Sequence, residues 1–170
     1  MLLVTCHRRE SFGQPLRAVA SALGRVARDH PEVQLVFPVH PNPEVRLVVW
    51  PALETVPNVL LCDPLGYDQF LRCLKRAYLV LSDSGGVQEE ATALGKPVLV
   101  LREQTERPEG VKAGALKLVG TDAGRIYRET CRLLGNPKAY DKMCRASDVF
   151  GDGRASDRIV RILEKALTGG

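Results

Sequence analysis

The segment YLVLSDSGGVQEEATALGKPVLVL, residues 78–101, decides the fold. Its two ends, Tyr78–Ser82 and Pro97–Leu101, are short runs that are apolar on nearly every residue, which is typical of buried parallel strands. A helix is predicted between them over Val87–Leu94, because a Gly-Gly pair precedes it and Gly-Lys-Pro follows it. Glycine past a helix end and proline just beyond it are stop signals. The segment is therefore a strand–helix–strand unit.

The same alternation extends through the rest of the chain. Further strands are predicted at Leu2–Thr5, Gln34–Pro38, Val59–Cys62 and Lys117–Val119. Further helices are predicted at Leu16–Asp29, Glu44–Thr55, Tyr67–Arg76, Asp122–Leu134 (capped by Thr121 or Asp122), Pro137–Ala146 and Arg154–Leu167. This pattern predicts one α/β domain over residues 1–170, with a Rossmann-like parallel sheet that carries helices on both faces.

The composition excludes several classes of protein. The 170 residues are 45% hydrophobic and 26% charged, which is typical of a globular chain. The net charge of +4 comes from scattered Lys and Arg, so no nucleic-acid-binding stripe is expected. No apolar run approaches the roughly 18 residues of a membrane span. The five cysteines are widely spaced without CxxC, which favours reduced thiols, a cytoplasmic location and no metal site.

Polar residues follow five consecutive predicted strands. They lie in the segments 6–10, 39–43, 63–65, 83–90 and 102–108, which supply imidazole, guanidinium, carboxylate and glycine groups. Ligands of open α/β sheets bind at the carboxyl ends of the strands. The convergence of these segments therefore predicts a ligand site at that edge of the sheet.

Ser84-Gly85-Gly86 is the best candidate for an anion site. Two glycines before a helix let the backbone approach a ligand and present free N–H groups at the positive helix end, which suits a phosphate. The motif is neither a Walker loop nor GxGxxG. A plain tight turn explains the same residues equally well.

Four further side chains are candidates for ligand contacts. Glu90, one turn into the helix, could accept both hydroxyls of a ribose, and Arg107 could pair with a phosphate. His7 and His40 follow strands and could donate to a diphosphate or assist proton transfer. The alternatives are solvated surface side chains for Glu90 and Arg107 and structural roles for the histidines. The two histidines lack a third ligand for zinc.

These residues belong to long motifs that resemble the non-hydrolysing UDP-N-acetylglucosamine 2-epimerases. The matching segments are TCHRRESFG (5–13), PVHPNP (38–43), SDSGGVQEEA (82–91), LGKPVLV (94–100), TERPEG (105–110) and FGDGRA (150–155). The resemblance implies the C-terminal, nucleotide-binding half of a GT-B fold, which has two Rossmann-like domains with UDP-sugar in the cleft between them. Cys6 stands where many members have glycine, and Leu65 where some have glutamine.

The resemblance also implies roles for individual residues. Ser84, Gly85 and Gly86 would contact the diphosphate, Glu90 the ribose, and Arg107 the phosphate end of the ligand. Phe70 and the backbone near Leu65 would border the uracil. His7 would help UDP to leave. Arg8 and His40 match positions at which some bacterial members bind a second UDP-N-acetylglucosamine as an allosteric activator.

The family reaction interconverts UDP-N-acetylglucosamine and UDP-N-acetylmannosamine through elimination and re-addition of UDP. It is an isomerase reaction without a metal or a dissociable redox cofactor. The carboxylates for proton transfer belong to the N-terminal domain, which we expect to be absent here, so the chain alone would be inactive. The terminal helix, residues 154–168, would pack on that domain. Members are usually homodimers and supply bacterial surface polysaccharides.

Three alternatives stay open at this point. The chain could be a stand-alone module that binds UDP or a UDP-sugar without catalysis. It could instead be half of a hydrolysing 2-epimerase, which releases UDP and free N-acetylmannosamine, although TERPEG and the His-Arg-Arg-Glu stretch favour the non-hydrolysing group. Another GT-B glycosyltransferase is a weaker alternative, because a shared fold would not reproduce these motifs.

Overall fold

The sheet has six parallel strands, as shown by a computed structural model that describes residues 1–144 and 147–168. The strands are β1 (Leu2–Thr5), β2 (Leu35–Pro38), β3 (Val59–Cys62), β4 (Leu79–Ser82), β5 (Val98–Val100) and β6 (Leu116–Leu118). Their order across the sheet is β3-β2-β1-β4-β5-β6, and every neighbouring pair is parallel. This order is that of a Rossmann-like domain, which confirms the predicted fold class.

The helices alternate with the strands along the chain. They are α1 (Gln14–Asp29), α2 (Pro43–Leu53), α3 (Tyr67–Arg76), α4 (Gly85–Ala93), α5 (Pro108–Ala113), α6 (Ala123–Gly135), α7 (Pro137–Cys144) and α8 (Ala155–Thr168), with 3₁₀ turns at Arg9–Ser11 and Ser147–Phe150. The side chain of Asp122, one of the two predicted caps, accepts a hydrogen bond from the backbone N–H of Arg125 at 2.7 Å.

Several predicted boundaries were wrong by one or two residues. The largest shift that bears on the site is at α4, which begins at Gly85 and not at Val87, because both glycines adopt helical backbone angles and form its first turn. The 3₁₀ turns and α5 were not predicted, since three to six residues are too few to show a helical period. The predicted helix end at Ala146 and the last two residues of the predicted domain, Gly169 and Gly170, lie outside the described residues.

Alternate residues of the strands enter two separate hydrophobic clusters. In β1, Leu2 and Val4 join the cluster that α1, α2 and α6 cover, whereas Leu3 joins the cluster with Leu74 of α3 and Ala91 of α4. These side chains are almost completely buried. The sheet therefore has helices on both faces, as predicted, and every strand points its carboxyl end to the same edge.

The order of the strands places a topological switch point between β1 and β4. The chain runs outward from β1 through β2 to β3, then returns to place β4 on the other side of β1. The loops after β1 and β4 consequently leave the sheet in diverging directions. A crevice between such loops is the usual ligand site of open α/β sheets.

Helix α8 lies apart from the core. Residues 155–167 are all exposed, including Ile159, Val160, Ile162, Leu163 and Leu167. These apolar side chains share one face of the helix, and charged residues occupy the opposite face. Among the described residues, no helix is both long and apolar enough to cross a membrane.

Candidate functional site

A buried carboxylate joins the two loops at the switch point. Asp83 follows β4 and is fully buried. Its Oδ2 accepts hydrogen bonds from the backbone N–H groups of His7 and Arg8, both at 2.8 Å. Thr5 and Ser82, the last residues of β1 and β4, are also hydrogen-bonded through their hydroxyls at 2.7 Å. These contacts hold the loop after β1 against the start of α4.

The N-terminus of α4 is open toward the crevice. Ser84 is the N-cap residue, but its side chain makes no capping hydrogen bond. The N–H groups of the first helical turn, residues 85–87, therefore lack partners within the helix. A Cβ atom placed on Gly86 would meet no atom within 4 Å, so the space in front of this turn is open. Free N–H groups and the positive end of the helix dipole together favour an anion here.

Two guanidinium groups flank this helix end. A Cβ atom placed on Gly85 would lie 3.8 Å from Nη2 of Arg8 and 3.9 Å from Nη2 of Arg107. Arg8 comes from the loop after β1, and Arg107 is the N-cap residue of α5. The structure thus brings Ser84, Gly85 and Gly86 together with both arginines.

Each of these arginines already has a carboxylate partner. Arg8 Nη1 lies 3.7 Å from Oε1 of Glu106, and Arg107 Nε donates to Glu89. Arg102 lies behind them and pairs with Glu106 at 2.7 Å and with Glu10 at 2.8 Å. The charges of three arginines are therefore balanced by those of three carboxylates. The remaining positive potential of the site comes from the N-terminus of α4.

Glu106 is held in its ionised form by this network. Its hydrogen bond with Arg102 contributes most, and a backbone hydrogen bond and the charges of Arg102 and Arg8 add to it, so that the pKa of Glu106 falls to about 2. The carboxylate therefore stays charged at physiological pH. A phosphate that approached Arg8 would have to compete with it.

An apolar cavity of about 310 Å³ adjoins the anion site. It is lined by residues at the carboxyl ends of β1, β2 and β3 and on α3 and α4: Thr5, Cys6, His7, Pro38, His40, Pro64, Leu65, Phe70 and Val87. The imidazole rings of His7 and His40 stack with their centroids 5.7 Å apart and an angle of 14° between their planes. The size is at the lower end of the range for ligand pockets, which suits one flat ring rather than a whole nucleotide sugar.

Glu90 and Phe70 occupy different parts of this site. Phe70 of α3 lines the apolar cavity, while Glu90 is partly exposed on α4, one turn after the open N–H groups. Within residues 1–144 and 147–168, the Glu90 carboxylate has no hydrogen-bond or ion-pair partner. All nine residues that the sequence nominated thus lie on the loops and helices at the carboxyl edge of the sheet.

Sequence reasoning missed three residues that support the site from behind: Asp83, Gln88 and Arg102. Gln88 is fully buried, and its Oε1 accepts a hydrogen bond from Thr105 Oγ1 at 2.6 Å. Thr105 in turn accepts from the backbone N–H of Arg107 at 3.2 Å. Asp83 and Gln88 stand inside the segment 82–91, and Arg102 begins the polar segment 102–108, but the pattern does not show which polar side chains point inward.

No metal site and no disulfide involves the described residues. They contain no group of three His, Cys, Asp or Glu side chains that could hold a metal ion, and the five cysteines are free. Burial, followed by the nearby charge of Asp83, raises the pKa of the Cys6 thiol well above its usual value. Cys6 is therefore a neutral, inert side chain at the floor of the site.

Comparisons with known proteins point to one family. The family model described as UDP-N-acetylglucosamine 2-epimerase matches residues 1–164. The UDP-N-acetylglucosamine 2-epimerase of Escherichia coli (strain K12) is 51% identical over 164 residues, which cover 96% of this chain and 44% of that protein. The chain thus spans less than half of the length of the curated relatives that it matches.

Two solved structures place ligands in proteins of the same fold. The UDP-GlcNAc 2-epimerase of Neisseria meningitidis, solved with UDP-GlcNAc bound, has a TM-score of 0.91 and 42% identity, covering 96% of this chain and 44% of its own. The Staphylococcus aureus MnaA structure with UDP has a TM-score of 0.92 and 42% identity, covering 98% of this chain and 46% of its own.

Proposed function

The chain belongs to the UDP-N-acetylglucosamine 2-epimerase family, and from this premise we propose that it binds the UDP portion of a UDP-sugar. One observation carries the proposal: an open helix N-terminus, flanked by Arg8 and Arg107, adjoins an apolar cavity of about 310 Å³. The first part suits a diphosphate and the second suits a pyrimidine ring. A nucleoside diphosphate has both groups, at the spacing that a ribose provides.

The predicted residues of the nucleotide site receive roles in this proposal. The N–H groups of residues 85–87 and the Ser84 hydroxyl donate to the diphosphate, and Arg107 pairs with a phosphate. Phe70 borders the uracil, because it lines the apolar cavity. The free Glu90 carboxylate accepts the ribose hydroxyls, one turn along α4.

Titration calorimetry with UDP and with UMP tests the proposal. We expect UDP to bind about tenfold more tightly than UMP, because the second phosphate adds charge-assisted hydrogen bonds worth about 1.5–3 kcal/mol. Equal affinities would show that the helix end does not read the second phosphate. A folded chain that does not bind UDP at millimolar concentration would contradict the proposal.

We propose further that the site serves an isomerase which interconverts UDP-N-acetylglucosamine and UDP-N-acetylmannosamine. In that reaction UDP leaves the sugar and adds back, and His7, which lies beside the proposed diphosphate position, assists its departure. The carboxylates that transfer the C2 proton would come from a second, N-terminal domain. The length of the curated relatives, of which this chain covers 44%, supports such a partner.

We propose that the apolar face of α8 packs on that second domain. Ile159, Ile162 and Leu163 are each more than half exposed and lie on one side of the helix. Apolar faces of this kind mark interaction surfaces. A domain closing over the carboxyl edge of the sheet would cover the proposed UDP site, and we propose that the same domain contacts this face.

Complementation tests this arrangement. The N-terminal half of the Escherichia coli relative, mixed with this chain, should restore interconversion of the two UDP-sugars. Ile162→Asp should lower that activity by at least about tenfold, because it would bury an unpaired charge in an apolar contact. Arg161→Asp, on the charged face of α8, is the matched control. Failure of a well-folded N-terminal half to restore any turnover would count against the partner.

The resemblance supports three finer proposals about the whole protein. Arg8, which also flanks the proposed diphosphate position, and His40 contact a second UDP-N-acetylglucosamine that acts as an activator, and the stacked pair of His7 and His40 would link that ligand to the substrate. The whole protein is a homodimer in the cytoplasm. It supplies the synthesis of bacterial surface polysaccharides.

A further inference from the structure

Asp83 is a buried carboxylate with two differently occupied oxygens. Its side chain is fully buried between β1 and α4. Oδ2 accepts the backbone N–H groups of His7 and Arg8 at 2.8 Å each, and the Ser11 hydroxyl lies 3.4 Å away. These donors stabilise the negative charge, as a buried carboxylate requires. Oδ2 therefore anchors the loop after β1.

Oδ1, by contrast, is buried without a hydrogen-bond partner in the described part of the chain. The His7 ring nitrogen Nδ1 lies 3.5 Å from it. The Cys6 thiol also lies against the carboxylate, but a neutral thiol is a weak donor. A buried acceptor left unpaired is costly, so the imidazole N–H is the donor best suited to Oδ1.

The position of the His7 ring is set from three directions. Its backbone N–H is bound by Asp83, its face stacks on His40, and Nδ1 faces Oδ1. The opposite ring nitrogen, Nε2, is then directed away from Asp83. The His7 side chain is 42% exposed at the edge of the apolar cavity, so Nε2 is accessible to a ligand.

We propose that Asp83 is a positioning residue that holds a proton on Nδ1 of His7 and so reserves Nε2 for proton exchange with the ligand. In catalytic triads, a buried carboxylate that accepts the Nδ1–H of a histidine fixes the tautomer and the orientation of its ring in the same way. The chemical identity of the ligand, UDP, rests on the function proposed above, but the Asp83–His7 arrangement does not.

The proton balance of the step is simple. When the bond between C1 of the sugar and the diphosphate oxygen breaks, its electron pair goes to that oxygen. The C2–H electron pair forms the C1–C2 double bond, and the C2 proton passes to a carboxylate of the proposed second domain. The imidazolium of His7 gives the Nε2 proton to the departing UDP and becomes neutral, while the Nδ1 proton stays on the side of Asp83. Re-addition of UDP returns the proton to Nε2.

The tautomer of His7 in the ligand-free chain is the first test. Ring ¹⁵N chemical shifts distinguish the two neutral forms at about pH 8.5, where an ordinary imidazole is neutral. We expect the Nδ1–H form in the unsubstituted chain. In Asp83→Asn the amide oxygen can still accept the two backbone N–H groups, which turns the NH₂ toward Nδ1 and should reverse the tautomer. Glu32→Gln, beside the partly buried His30, should change only His30.

Proton uptake on binding is the second test. Calorimetry in buffers of different ionisation enthalpy at about pH 8 counts the protons taken up with UDP. The unsubstituted chain should take up a fraction of a proton as His7 becomes doubly protonated, and Asp83→Asn should lose this uptake. A merely structural role for Asp83 would alter affinity without altering the proton count.

The results separate the two proposals. The Nε2–H tautomer in the unsubstituted chain would overturn the role of Asp83, and this spectrum needs no variant to fold. An unchanged tautomer and unchanged proton uptake in Asp83→Asn would overturn it as well. Absence of UDP binding beside an Nδ1–H tautomer would refute the proposed function and leave the Asp83–His7 arrangement standing.

Discussion

Gly86→Trp is expected to lower the affinity for UDP by at least about 100-fold, which corresponds to about 2.7 kcal/mol. Gly86 lies in the first turn of α4, where a Cβ atom would meet no protein atom within 4 Å. An indole can therefore extend from this position without displacing any part of the fold. It would occupy the space in front of the free N–H groups and exclude the diphosphate from it.

Calorimetry with UDP measures the loss, and thermal unfolding checks that the variant remains folded. Gly135→Trp is the matched control, because Gly135 is exposed at the end of α6, on another side of the domain. A Cβ atom placed on Gly135 would likewise meet no protein atom within 4 Å. Undiminished UDP affinity in a folded Gly86→Trp chain would show that the diphosphate does not bind at this helix end.

Replacing both flanking arginines is expected to have an effect of similar size. Arg8→Ala and Arg107→Ala should each weaken UDP binding about tenfold, because each removes charge-assisted hydrogen bonds worth about 1.5–3 kcal/mol. Each substitution also removes the arginine that pairs with a carboxylate, Glu106 or Glu89. The negative charge of that carboxylate would then repel the phosphates more strongly. The double variant should lose about 100-fold, and UMP should be affected less than UDP.

A double-mutant cycle shows whether the two arginines bind the same ligand group. Arg128→Ala is the control for the change in net charge, because Arg128 is exposed on α6. It should leave UDP affinity within about twofold, as expected for a distant surface charge screened by salt. Retention of full UDP affinity in the double variant would exclude these arginines from the site.

Much of the fold followed from local pattern. The bounds of β1, β3 and α3 agree with the predicted ones, because β1 and β3 are short, nearly continuous apolar runs and α3 is preceded by Pro64 and Gly66. The start of α4 was predicted two residues late, since glycine has low intrinsic helix propensity and tertiary contacts override it there. Helix α5 has one turn and a half, and nothing periodic distinguishes it from a loop.

For the candidate site, the sequence predicted which segments lie at the carboxyl edge of the sheet but not how their side chains pair. The strand–helix alternation predicts a parallel sheet whose carboxyl ends share one edge, whereas the strand order that brings the segments after β1 and β4 together is seen only in the structure. The pairing of Arg8 with Glu106 and of Arg107 with Glu89 depends on side-chain directions that spacing does not contain. The burial of Asp83 likewise became visible only in three dimensions. The roles assigned to the nine site residues stay predictions.

The balance of three arginines and three carboxylates bears on which anions could occupy the site in a cell. Chloride or a sulfate ion would gain one cation only by displacing a carboxylate that already neutralises it, so the exchange offers little net attraction. A ligand with several phosphate oxygens can engage both arginines and the helix end at once, and its base can fill the neighbouring cavity at the same time. The carboxylates of Glu10, Glu89 and Glu106 would thus compete with small anions for the arginines, and a ligand with several phosphate oxygens would displace them.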